Sequence, residues 1–436
     1  MGDILTRSNC GEDYPMFPFL FFFLVVLVGQ NPIASQVRAS EMHWNQWRGP
    51  QRTGQVASEP WPDKLSDDAL VLRWSQSLGA SYSSPVMDGQ RVYTTQSLDD
   101  QTEEALALDL MTGEVTWKSS WAGGMKVPFY ARANGSWIRS TPLLHDGYLY
   151  VLGMQETLVC LRAMDGTVVW QRHLPEVLKT QESDFGGVSS PLFHDGGIVL
   201  QAGGGVVKLN ASSGELDWFF KASDGEDNES PFSSPMLFEL HGVPQLIVLE
   251  RNRLCGLNPQ NGQRLWSVQV PAFRGMNILT PTQVGSGLLT ATYGGKTHLF
   301  EPSQSEDGNW QVNQKWIQNF QGYMSSPLVV GSHAYLHGRS GRMVCLDTQA
   351  GQVLWTSSES FGKYCSQVTN GERMLCLSHD GNLRLLKINP EHCQIMDETR
   401  VSQEETWAHL AVAGHSLILR SLHSLCIFDW KSQGVQ

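Results

Sequence analysis

The chain repeats itself about every 45 residues, and self-similarity at that spacing restricts the fold more than any local feature. One unit reads Ser-Ser-Pro, a Gly a few residues on, two apolar strands, an Asp or Asn, then Thr-Gly or its equivalent, and a Trp four residues after that Gly. The first clear copy runs through Ser83-Ser84-Pro85, Gly89, Leu106-Ala107-Leu108-Asp109, Thr112-Gly113 and Trp117. The second runs through Ser140-Thr141-Pro142, Gly147, Leu158-Val159-Cys160-Leu161, Asp165-Gly166 and Trp170. Further copies span Ser189 to Trp218, Ser233 to Trp266 and Ser325 to Trp355, and degenerate ones begin at Thr280, near Ser366 and near Ala408. Eight units between Trp74 and Trp430 give 44.5 residues each, which suits four short strands with tight turns. The segments alternate or are wholly apolar over four to six residues, with no sustained helical period. The expected fold is all-β, an eight-bladed propeller of four-stranded antiparallel blades.

Each part of the unit has a physical task. The Asp or Asn bonds backbone two residues onward, and the Gly takes the left-handed position that starts the outer strand in register. The pairs are Asp109 with Gly113, Asn210 with Gly214, Asn258 with Gly262, and Asp347 with Gly351. The Trp that follows must bury a large ring, and the neighbouring blade is the apolar surface within reach. Trp74, Trp117, Trp170, Trp218, Trp266, Trp316 and Trp355 are therefore read as structural docking residues. The last unit has room for only three strands before the terminus. Val71-Leu72-Arg73-Trp74-Ser75 reads as a fourth strand with no unit before it, so the ring is predicted to close with strands from both ends and leave no open blade.

Domain boundaries follow: a signal peptide over 1–39, an N-terminal arm over 40–70, the propeller over 71–430 and a short tail over 431–436. The apolar run Phe17 to Gly29 is too short to cross roughly 30 Å of hydrocarbon as a helix and reads as the core of an export signal, with cleavage near Ser40. Asp3, Arg7, Glu12 and Asp13 precede it, which makes Met16 an alternative start, and an uncleaved anchor is the other reading of the run. The expected location is the bacterial envelope, periplasmic or extracellular, and the chain is read as a monomer.

A formal net charge of −12 repels phosphate backbones and anionic lipid, which excludes nucleic acid as a partner class. Seven cysteines follow the signal, an odd number. Cys160, Cys255, Cys345 and Cys426 recur at equivalent repeat positions and read as small core residues. Cys365 and Cys376 flank Asn370-Gly371, and a two-residue hairpin there would set them directly opposite, about 5.5 Å apart between Cα atoms, close enough for a disulfide.

The repeat resembles the PQQ-like repeat of quinoprotein-dehydrogenase-type propellers, whose signature Ala-x-Asp-x-x-Thr-Gly-x-x-x-Trp is seen best from Ala107 to Trp117. Its length is similar to that of BamB-type outer-membrane assembly propellers, and Trp44-Asn45-Gln46-Trp47-Arg48-Gly49-Pro50 resembles the opening of secreted bacterial proteins of this repeat. The resemblance covers about residues 44 to 430. It speaks for fold and leaves activity open, because one architecture hosts many functions.

A dehydrogenase of that family would add a Ca²⁺ cradle, a catalytic Asp and commonly two adjacent Cys. No two cysteines here are adjacent, and no cluster of oxygen donors announces a hard-cation site. Gly-x-Ser-x-Gly and His-Glu-x-x-His are absent from the sequence. Gly294-Gly295-Lys296-Thr297 reads as a hairpin turn, as do His145-Asp146-Gly147 and His194-Asp195-Gly196. No catalytic or metal-ligating residue is assigned, and no cofactor is expected.

What remains is one face of the ring. Two connections onto it are long, Ser119 to Arg139 and Gln171 to Val188. The first holds Trp121, Lys126, Phe129, Tyr130, Arg132, Trp137 and Arg139, rings and cations of the kind found at recognition hot spots; a lid packing its own rings over the channel is the alternative. Tyr82, Phe232, Asn277, Tyr323, Tyr364, Trp407 and His409 precede inner strands and are expected to ring the same mouth. The binding candidates are Tyr130, Arg132, Trp137, Arg139, Asn277, Tyr364, Trp407 and His409. The leading expectation is a non-catalytic exported scaffold that binds a protein or an extended extracellular polymer. Its rival, implied by the resemblance, is a PQQ-dependent oxidoreductase similar to polyvinyl-alcohol dehydrogenase, with Ca²⁺ and with His409 or Asn277 near the quinone.

Overall fold

A computed structural model describes residues 43–56, 61–66, 68–99, 101–129, 135–222 and 231–430. The proposed signal segment, Tyr130 and Arg132 lie outside them. Eight four-stranded antiparallel sheets are arranged around an axis. Blades 1 to 7 take consecutive strands over residues 86–122, 143–173, 192–221, 236–269, 282–318, 328–356 and 365–400. Blade 8 takes three strands, Ala411–Ala413, Ser416–Arg420 and Ser424–Trp430, and receives Leu70–Ser77 as its outer strand. The ring thus closes with strands from the two ends of the sequence, as the repeat count predicts.

The core lies between blades rather than within them. Val86, Tyr93 and Trp117 of blade 1 pack on Leu144, Leu149 and Val159 of blade 2, and equivalent clusters recur between successive blades. Seven strands at the inner edge start with the Ser-Ser-Pro motif or a variant of it, and the second hydroxyl of the motif links neighbours. Thr141 N donates to Ser190 Oγ (3.0 Å), Ser190 N to Ser234 Oγ (2.9 Å), Ser234 N to Thr280 Oγ1 (3.0 Å) and Thr280 N to Ser326 Oγ (2.9 Å). The belt crosses the ring seam where His409 N donates to Ser84 Oγ (2.6 Å). A small residue with a hydroxyl satisfies a buried backbone donor while letting inner strands approach closely.

At the rim, each outer strand carries a bulge beside the docking position, as at Ala107/Leu108 opposite Trp117 and Leu299/Phe300 opposite Trp316. A bulge re-aims the side chain that follows it. Trp117 Nε1 donates to Ala163 O (2.9 Å), Trp170 to Ala211 O (2.9 Å), Trp316 to Thr348 O (2.9 Å), Trp355 to Asn389 O (2.9 Å) and Trp74 to Leu110 O (3.0 Å), each in the next blade. The turn Gly sits under the ring: a Cβ at Gly166 would lie 2.5 Å from Trp117, and one at Gly262 2.5 Å from Trp218. Three positions differ: Trp218 packs over Gly262, but among the described residues its Nε1 has no hydrogen-bond partner. Blade 5 has a long hairpin with no Thr-Gly turn, so Trp266 bonds Gln245 Oε1 of its own blade (2.6 Å). In blade 7, Asp397 stands opposite Leu385 where other blades have the Trp.

The hairpin at Asn370-Gly371 corrects the cysteine geometry. Thr369 pairs with Met374, so the loop has four residues, and Cys365 faces Ser378 while Cys376 faces Gln367. The two are diagonal neighbours, and both are free, buried thiols. Burial first, then the Cys365 thiol, push the Cys376 thiol far above its usual range.

Candidate functional site

The central channel is filled from one end by the N-terminal arm. Trp44 pairs with Met87, and Gly54 and Val56 bond Thr369, all at the far ends of inner strands. Between these anchors the arm rises into the channel. Arg48 Nη2 donates to Pro327 O (2.7 Å), and Arg52 donates to Pro191 O (2.8 Å) and Ser190 O (3.0 Å). The guanidiniums therefore use carbonyls of the Ser-Ser-Pro motif itself. Burial lowers the pKa of Arg48 to about 10 and that of Arg52 to about 9, the latter helped by Arg48. Both flank the ring of Trp47, 5.5 and 5.3 Å from its centroid.

Trp47 is the floor of a funnel of about 250 Å³ on the opposite face. Its walls carry Tyr82, Phe185, Phe232, Tyr323, Tyr364 and Trp407, with Arg139, His409 and the hydroxyls of Ser84, Thr141, Ser190, Ser234, Thr280 and Ser326. Blade geometry produces most of this ring, because Tyr82, Phe232, Tyr323, Tyr364 and Trp407 stand just before inner strands and so at similar height, while Phe185 comes from the long connection between blades 2 and 3. Tyr364 stacks on Trp407 at 5.6 Å and 20°, Trp407 contacts Tyr82 at 5.9 Å, and Tyr82 meets Trp137 edge-on at 5.2 Å. Glu405 accepts from Trp407 Nε1 (3.0 Å) and Tyr82 OH (3.3 Å). Burial, then Glu405, raise the Tyr82 phenol above its usual range. His409 is held neutral, first by burial and then by Arg48, with Nδ1 3.0 Å from Ser366 Oγ.

Of the described binding candidates, Arg139, Tyr364, Trp407 and His409 line the funnel, and Trp137 leans on its wall. Arg139 is fastened to its loop through Gly135 O (2.5 Å). Asn277 does not face the funnel. It is buried and donates to Val270 O (2.8 Å) and Arg251 O (3.1 Å), tying its connection to the turn between the two middle strands of blade 4, while Met276 and Ile278 on either side reach the wall. Trp121 belongs to the outer strand of blade 1, buried against Glu103 (3.0 Å), and not to the loop surface. Trp47 and Phe185 were missed as lining residues. The density of rings and cations in Trp44-Asn45-Gln46-Trp47-Arg48 was visible, but nothing in the sequence says that an arm enters the channel.

The donor set bears on cofactors. A Ca²⁺ ion takes six to eight oxygens, carboxylates prominent among them, whereas the described residues that line the funnel offer hydroxyls, a guanidinium and a neutral imidazole and no carboxylate. The cations nearest its floor already donate to carbonyls. These residues do not fit a Ca²⁺-bound quinone. Among the described residues no group of three or more His, Cys, Asp or Glu converges as a metal site.

Fold and face together define a class: an eight-bladed propeller of PQQ-like repeats with a one-sided central funnel. Residues 101–357 match the family model of the outer membrane protein assembly factor BamB, and the chain belongs to that family. The outer membrane protein assembly factor BamB of Yersinia pestis is 20% identical over 319 residues, which cover 70% of this chain and 75% of the relative. The crystal structure of BamB from Moraxella catarrhalis superposes with a TM-score of 0.62 at 16% identity, over 84% of this chain and 99% of that one. The quinohemoprotein alcohol dehydrogenase of Comamonas testosteroni is similar in fold, with a TM-score of 0.61 at 12% identity over 93% and 83% of the two chains.

Proposed function

We propose that this chain is an exported, non-catalytic scaffold that holds a partner protein on the funnel face, in the manner suggested by relatives named as outer membrane protein assembly factors. The observation that carries this reading is the ring of aromatic side chains around a funnel whose floor is the arm's own Trp47. Partly exposed Trp and Tyr offer large apolar area at little entropic cost and are the residues most often found at the centre of binding interfaces. Trp137, Arg139, Tyr364, Trp407 and His409 are the residues assigned to contact, with Tyr130 and Arg132 on the same connection. An extended polymer is the second ligand class for such rings.

The test is capture of envelope proteins by the full chain compared with a Trp137→Ala, Arg139→Ala, Trp407→Ala variant. Loss of the captured proteins, with melting retained, supports the reading; identical capture rejects it. The oxidoreductase reading is tested by titrating PQQ with Ca²⁺ and assaying dye reduction with alcohols. A changed quinone absorbance with turnover would replace the scaffold reading, against which stands a described donor set that does not fit a Ca²⁺-bound quinone.

A further inference from the structure

The funnel rim is electrically divided. The segments that leave strands of blades 4, 5 and 6 onto this face carry six cations, Arg251, Arg274, Lys296, Arg339, Arg342 and Lys363, against Glu250 and Glu359, while the connection that enters blade 4 from blade 3 carries Asp224, Glu226, Asp227 and Glu229. This excess sits on a chain whose formal net charge is −12. The next connection around the ring, from blade 7 to blade 8, carries Glu404 and Glu405, with Glu405 bonded to the Trp407 and Tyr82 side chains.

The basic arc is also built, not scattered. Phe273 meets Tyr293 at 5.8 Å, and Tyr293 meets Tyr323 at 5.0 Å. Arg339 lies 4.5 Å over the Tyr293 ring and Arg274 5.3 Å over Phe273. Arg251 Nη2 donates to Arg274 O (2.8 Å), and Phe273 N to Tyr293 O (2.9 Å), which fixes the connection after blade 4 against the turn of blade 5. Arg274, Lys296 and Arg339 are exposed, and among the described residues none of them pairs with a carboxylate. Phe273 is 53% exposed at the centre of the group. Tyr323 belongs at once to this patch and to the funnel wall.

Stacking on rings holds guanidiniums in place while leaving their donors free, and cations fixed beside exposed rings suit a ligand that brings carboxylates and apolar side chains together. We propose that this arc binds an acidic segment of a partner protein, with its carboxylates on Arg274, Lys296 and Arg339 and its apolar side chains on Phe273 and Tyr293. The inference rests on the scaffold reading and assigns the chemistry of one part of that face. Nucleic acid also pairs rings with cations, but the overall charge of the chain opposes a polyanion of that length. A short acidic segment meets only the basic arc.

The test uses the full chain and a fluorescein-labelled peptide of twelve residues, Asp and Glu with two Phe, followed by anisotropy. Binding is expected, weakening about tenfold when both Arg274→Glu and Arg339→Glu are introduced, and falling with added salt. Arg274→Lys with Arg339→Lys should keep most of it, which separates charge from misfolding. A matched Lys-rich peptide should not bind. Equal binding by the charge-reversed chain overturns the proposal, as does tighter binding of a DNA duplex or heparin than of the peptide. Trp407→Ala, on the connection next to the arc, distinguishes the two readings. If partner capture needs Trp407 but charge reversal changes nothing, the arc proposal fails and the scaffold stands; if neither matters, both fail.

Discussion

Among the described residues, Glu103 is a carboxylate with donors but no cation. It is fully buried between blades 1 and 2, where it accepts from Met154 N (2.8 Å) and Trp121 Nε1 (3.0 Å). Burial raises its pKa from 4.5 to about 7, with the two hydrogen bonds pulling the other way. A raised carboxyl pKa means that the folded state holds the proton more tightly than the unfolded one. The associated stability is complete below pH 4.5 and is lost as the pH rises through 7, by an amount of order 3 kcal/mol. The melting temperature of Glu103→Gln minus that of the parent is therefore expected to grow between pH 5 and 8, and a constant difference would contradict the assignment. The docking residues make a second prediction at this scale. Trp117→Ala should cost about 3–5 kcal/mol in denaturant unfolding. Gly351→Ala should cost about 1–3 kcal/mol by overpacking, because its Cβ would stand 2.4 Å from the Trp316 ring at a φ of +70°.

Among the elements, the arm between the channel and the closing strand is the one that the repeat does not specify. Asp397 occupies the docking position of blade 7 and binds this arm instead of a Trp: it accepts from Leu65 N (2.7 Å), Ser66 N (2.9 Å) and Ser66 Oγ (2.7 Å). Burial alone would raise its pKa, but these bonds outweigh it and hold it at about 2. Trp61 packs on Trp430 at 5.9 Å, so the arm covers the seam beside blade 8. Asp397→Ala is expected to speed amide exchange at Leu65 and Ser66 by tenfold or more, since charge-assisted bonds are worth about 1.5–3 kcal/mol, while exchange in blade 3 stays unchanged. Blade number, strand count and ring closure were legible because Asp109, Gly113 and Trp117 recur at fixed offsets. The bulges were not, because a bulge is a property of paired strands and leaves no residue type behind. The plug was equally hidden: Arg48 and Arg52 find their partners 279 and 139 residues away. Asn277 shows the same limit, since its position before an inner strand is visible in sequence while the direction of its amide is not.

For the whole molecule, the arm and the closing strand are adjacent in sequence but have separable tasks. Leu70–Ser77 completes blade 8 along seven register pairs, from Leu70 with Trp430 to Ser77 with Ser424. Its bulged Arg73 forms a two-point pair with Asp429 (2.8 and 2.6 Å) and reaches Leu110 O of blade 1 (3.2 Å). Arg420, buried at the same seam, donates to Gly79 O (2.5 Å). Without this strand, blade 8 exposes an unpaired edge and the core shared by blades 7, 8 and 1 opens to water,. Residues 44–56, by contrast, contact inner strands of blades 1, 2, 3, 6 and 7 without supplying a strand to any blade. Removing residues up to 56 should lower the melting temperature and deepen the funnel while leaving one cooperative transition, because every blade keeps four strands. Removing residues up to 78 should abolish that transition, as a ring that cannot close loses two blade interfaces together. Calorimetry of the two truncations decides the matter: a cooperative melt after the longer deletion would show that blade 8 stands with three strands, and loss of cooperativity after the shorter one would make the plug, rather than the closing strand, the element that holds the ring.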